Sequence, residues 1–92
     1  METRIAVIGI IVENRESVEA VNTILHQYSQ YIIGRMGVPY RERGLSIIAL
    51  LVDGSTDALG AMTGKLGNIP GVKVRSVLLT AAGQELSPKE DS

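Results

Sequence analysis

The chain has no cysteine, no phenylalanine and no tryptophan, and its only aromatic residues are three tyrosines. Without cysteine, disulfides, thiolate metal sites and cysteine nucleophiles are excluded. Without Phe or Trp, the core must be built from Ile, Val, Leu and Ala, a composition that suits a well-packed sheet. Histidine occurs once, at His26, so no constellation of several imidazoles can form within one copy. No stretch approaches the ~20 apolar residues of a membrane span. Charge of one sign is also missing: nine Lys and Arg against ten Asp and Glu give a formal net charge of −1. A nucleic-acid-binding domain usually carries a basic excess or stripe, so direct nucleic-acid binding is not expected, nor is a membrane. Met1 to Arg4 lead into a strand without a signal-peptide pattern, and a cytoplasmic protein is expected.

What is present is apolar residue in long runs. Residues Ile5 to Val12 and Leu45 to Val52 are almost continuously apolar. A strand with one wet face alternates apolar and polar residues, whereas a strand buried on both faces reads as a continuous run. At 92 residues the chain is one domain, and a domain this small gains from self-association.

The pattern predicts a strand over 4–12, then a helix over 15–29. Asn14 is its N-cap, Ser17 an imperfect capping-box partner, and Val18, Val21, Leu25 and Tyr28 form its apolar stripe. A less apolar strand follows over 31–37, as suits an edge, then a charged connection over 38–44 punctuated by Pro39 and Gly44. A third strand spans 45–52. Ser55 or Thr56 caps a second helix over 56–67, and a fourth strand runs over 72–79. Gly60, Gly64 and Gly67 weaken the second helix by up to about 1 kcal/mol each relative to Ala. Their expected gain is close approach to the sheet or to a neighbouring helix. Residues 81–92 lack a core pattern and are expected to be disordered, leaving 1–80 as the folded domain.

The order β-α-β-β-α-β with right-handed crossovers gives an α+β, ferredoxin-like sandwich. Its four-stranded antiparallel sheet has the two most apolar strands at the centre and both helices on one face. Two helices cover one face only. The other face then needs a partner, and a second copy of the chain, in a dimer or tetramer, is the expected one.

That topology resembles the ACT regulatory domains and the C-terminal domain of the nickel-responsive repressor. A more detailed similarity rests on Arg4 through Arg15, on Gly34-Arg35-Met36-Gly37-Val38-Pro39-Tyr40, on Val52-Asp53-Gly54, and on Thr63-Gly64-Lys65-Leu66-Gly67 with Gly71-Val72. These stretches resemble a small family described as regulators of an iron-only hydrogenase system. The resemblance implies a regulatory domain that binds a small ligand or a partner protein, and implies no cofactor. Departures narrow it. The nickel repressor holds metal through several histidines and a cysteine, whereas this chain has His26 alone and no ribbon-helix-helix segment ahead of its first strand. The Pro-Gly turn of amino-acid-binding ACT domains is replaced by Glu13-Asn14-Arg15.

Individual motifs are weak. Gly60-Ala61-Met62-Thr63-Gly64-Lys65 has three residues between its glycines, Leu66 after the lysine, and a place inside a helix. It fails the phosphate-loop pattern on all three counts. His26 is a metal ligand only if a symmetry axis pairs two copies; a solvated imidazole is the simpler reading. Arg35, Arg41 and Arg43 flank Pro39. With Tyr40 and the helix start at Asn14, they are the candidate site for a small anionic ligand, because Arg offers a planar fork of donors to carboxylate or phosphate. The alternative is a solvated hairpin with Glu42 and Asp53 as ion-pair partners. No paired carboxylates or Ser-His-Asp set argue for catalysis, and a non-enzymatic regulator is expected. A small oligomeric enzyme with an inter-subunit pocket and a pure assembly module remain the alternatives.

Overall fold

The computed structural model describes residues 3–80; the tail expected to be disordered, 81–92, lies outside them. The elements are β1 (Arg4–Val12), α1 (Val18–Gln27), β2 (Ile32–Tyr40), β3 (Leu45–Gly54), α2 (Thr56–Gly67) and β4 (Val72–Leu78). Single 3-10 turns occur at Arg15–Ser17, Ser29–Tyr31 and Arg41–Arg43. The sheet order is β2-β3-β1-β4, with every neighbouring pair antiparallel. This is the ferredoxin-like α+β arrangement, with the two apolar runs at its centre.

The helix-facing side forms the core. Ala6, Ile8, Ile10 and Val12 of β1 and Ile48, Leu50 and Val52 of β3 pack against Val21 and Leu25 of α1 and Leu59, Met62 and Leu66 of α2. Period-two alternation on the strands and the period-3.6 stripe on the helices thus meet in one dry layer.

The expected helix over 15–29 resolves into a 3-10 turn, α1 and a second 3-10 turn. Asn14 caps as its residue type demands, its Oδ1 accepting the Glu16 N–H at 3.0 Å. Ser17 does not complete a capping box. It is buried, and its hydroxyl donates across the fold to the Pro70 carbonyl at 2.6 Å. The Ser55 hydroxyl caps α2 by accepting the Ala58 N–H at 3.1 Å.

The edge strand β2 starts one residue later than expected and runs three residues further, through Pro39. An edge strand tolerates proline, because one row of its N–H groups has no partner to lose. A register irregularity lies between Ile32 and Gly34. The charged connection shrinks to the turn Arg41–Arg43 and Gly44, which takes the left-handed conformation at φ 67°. The glycines of α2 need a correction. A methyl group built on Gly60, Gly64 or Gly67 meets nothing within 4 Å, so within one chain they permit no close approach to sheet or helix.

Among the described residues no helix is long and apolar enough to cross a membrane.

Candidate functional site

Residues directly opposite one another in a sheet share a face, so the pairing register assigns every side chain to a side. Away from the helices, β3 presents Leu45, Ile47, Ala49, Leu51 and Asp53, and β1 presents Ile5, Val7, Gly9 and Ile11. The flanking strands add Met36, Val38 and Tyr40 of β2 and Lys73, Arg75 and Val77 of β4. The helix-free face is therefore apolar across three strands, with its cations confined to the β4 edge. Met36 is 64% exposed, Val77 61% and Leu51 48%, values ordinary for lysine and high for large apolar side chains. The centre of the face is the small pair Gly9 and Ala49, which face each other in register.

The expected ligand residues do not converge on one place. Tyr40 stands opposite Leu45 on the helix-free face, whereas Arg35 stands opposite Leu50 on the helix side. Arg41 and Arg43 lie in the 3-10 turn that joins β2 to β3. Asn14 is engaged in capping the turn ahead of α1. The one ion pair among the described residues joins Lys73 Nζ to Glu13 Oε2 at 3.3 Å, so Arg35, Arg41 and Arg43 form no ion pairs with Glu42 or Asp53. Asp53 pairs in register with Ile5, at the opposite end of the sheet from the Arg41–Arg43 turn.

Two of the arginines do line hollows on the helix side. Arg35 edges an apolar trough of about 220 Å³ between α1 and β2. Arg41 lines a cleft of about 430 Å³ at the end of that trough, and there it is joined by Arg15. Arg15 was not among the expected site residues. The topology could have found it: β1 and β2 both run toward the same end of the sheet, so the turns that follow them, which begin at Arg15 and Arg41, become neighbours.

His26 is exposed on α1. It lines a separate hollow with Asn22, Ser29, Ile33 and Arg35, and among the described residues no cluster of three metal-ligating side chains occurs.

The sequence from Arg4 to Ser76, from the first residue of β1 nearly to the end of β4, matches the model of the family described as "TM1266-like: Iron-only hydrogenase system regulator, putative". The chain belongs to this family. Among solved structures it is similar to the uncharacterized protein TM1266 from Thermotoga maritima. The two are 39% identical with a TM-score of 0.83, over 86% of this chain and 100% of that one. It is also similar to a protein of unknown function from Galdieria sulphuraria, 16% identical with a TM-score of 0.55, over 95% of this chain and 49% of that one. The second likeness is one of fold alone. No curated protein matches the chain. The family description is that of a regulator.

Proposed function

We propose that this chain is a regulatory domain of an iron-only hydrogenase system, acting through binding rather than catalysis, and that it works as an assembly in which a second copy covers the helix-free sheet face. The single observation that carries the assembly is that face. Four strands ~4.8 Å apart and about eight residues long at ~3.3 Å each give a footprint of about 500 Å² before side-chain relief is counted. The face, of which the three apolar strands make up about 380 Å², is of the size that on a monomer is often functional. It also approaches, once relief is included, the ~800 Å² per partner of a standard interface. The small Gly9–Ala49 centre lets two such faces approach closely, and the rim cations Lys73 and Arg75 remain at the wet margin.

Sedimentation velocity at micromolar concentration tests this. The wild-type chain is expected at dimer or tetramer mass. Leu51→Arg is expected at monomer mass with an unchanged far-UV circular dichroism spectrum, since Leu51 is already half exposed in one copy. A wild-type chain that sediments as a monomer refutes the assembly.

A further inference from the structure

A hollow in two parts runs along the helix side of the molecule. Its apolar trough and its wider cleft adjoin at Val12, Val18, Pro39 and Ser46, which line both, and its lining also takes in Val38, Leu45 and Ile47 at the border of the helix-free face. The reason it exists is local. Past Ile32, which packs on the core at the start of the strand, the helix-facing positions of β2 are Arg35, Gly37 and Pro39, and none of these three offers a bulky apolar side chain to meet α1.

The two ends differ in chemistry. The trough is walled by Val18 and Val21 of α1 and floored by Val12 and Ile48. The cleft holds Arg15 and Arg41. Among the described residues neither guanidinium takes part in an ion pair, and their acidic chain neighbours Glu16 and Glu42 do not line the cleft. Arg15 lies in the three-residue 3-10 turn ahead of α1, and Arg41 lies in the turn after β2. Two like charges line one cleft with no carboxylate in its lining, which suits the cleft to an anion.

We propose that this hollow binds a small amphipathic carboxylate, its head held by Arg15 and Arg41 and its aliphatic body laid along the trough toward Arg35. Guanidinium forks match a planar carboxylate through paired charge-assisted hydrogen bonds. The Ser46 hydroxyl stands where head and body meet. An apolar lining with a few polar groups at one end is the usual form of a small-molecule site. The proposal deepens the regulatory reading by naming the class of ligand sensed, yet its test does not depend on assembly.

The test is an amide-shift NMR titration of the full chain with octanoate, and with acetate (head alone) and octanol (body alone) as comparisons. Octanoate is expected to saturate, moving the amides of Val18, Gly44 and Ser46. Acetate and octanol are expected to bind at least about tenfold more weakly, because each lacks one half of the recognition. The double variant Arg15→Ala/Arg41→Ala removes two exposed side chains. It is expected to keep its circular dichroism spectrum and to lose octanoate affinity by about tenfold or more. Lys73→Ala/Arg75→Ala, on the β4 edge, is expected to bind as wild type. Any of three results overturns the site: no saturation by octanoate, unchanged affinity in the Arg15/Arg41 variant, or shifts centred on Leu51 and Val77 of the sheet face. None of the three touches the sedimentation result, so the two readings fail separately.

Discussion

Gly71 shows how a single backbone position ties two ends of the chain together. Its φ is 76°, and a methyl group on it would stand 2.7 Å from the Asn14 Cβ and 3.3 Å from the Asn14 nitrogen. Around it, the Glu13 N–H donates to the Gly71 carbonyl at 2.7 Å and the Ser17 hydroxyl donates to the Pro70 carbonyl at 2.6 Å. The entry to β4 is thereby clamped to the exit of β1. Gly44 has a similar φ of 67° but open space beside it. Gly44→Ala should therefore cost only the left-handed penalty of about 1 kcal/mol, whereas Gly71→Ala adds a steric clash and should cost about 2 kcal/mol or more. Urea denaturation of the two variants checks the difference, and equal losses would remove the clamp. The Ser17 hydroxyl illustrates what a sequence window cannot see. Its spacing from Asn14 suggests a local cap, but the carbonyl it finds lies 53 residues away, and only the closed fold brings the two together.

At the scale of elements, α2 carries three glycines that the packing does not use. An alanine at Gly60 or Gly64 meets no atom within 4 Å, and glycine in a helix interior is less favourable than alanine by about 0.5–1 kcal/mol. Gly60→Ala and Gly64→Ala should each raise the unfolding free energy by about that amount, read from the urea midpoint with the assembly mass unchanged. A fall in stability together with a smaller assembly would place this helix face against a neighbouring copy. The strand order and the core were legible because both rest on hydrophobic period: the continuous runs of β1 and β3 and the stripe from Val21 to Leu25 lie where the pattern put them. The edge strand was less legible. Pro39 reads as punctuation, but at a sheet edge it is compatible with a strand, and the irregularity at Ile33 leaves no mark in composition. The candidate site was legible in part for the same reason. The arginines stood out by type, but which side of the sheet each one faces is fixed by register. Register separates Arg35 from Tyr40 and gives Arg41 a neighbour, Arg15, that lies 26 positions away in the sequence.

At the scale of the whole molecule, β2 serves two surfaces at once. Met36, Val38 and Tyr40 face the side assigned to a second copy, while Arg35, Gly37 and Pro39 face the hollow beside α1. The two surfaces meet at Val38, Leu45 and Ile47, which belong to the helix-free face and also line the hollow. The assembly should also be coupled to folding. A 92-residue chain with leucine and valine bare on one face is only marginally stable alone. Anything that binds the native state but not the unfolded one raises the melting temperature in proportion to the logarithm of its concentration. For a dimer that melts to two unfolded chains, each tenfold rise in protein concentration contributes ~1.4 kcal/mol per dimer, or about 3–5 °C for chains of this size. Melting curves recorded across two decades of concentration should therefore climb for the wild type and stay flat for Leu51→Arg. A flat wild-type series in the range where association is half complete would mean that the apolar face contributes nothing to the stability of the folded chain. The argument that a second copy completes this sheet would then fail.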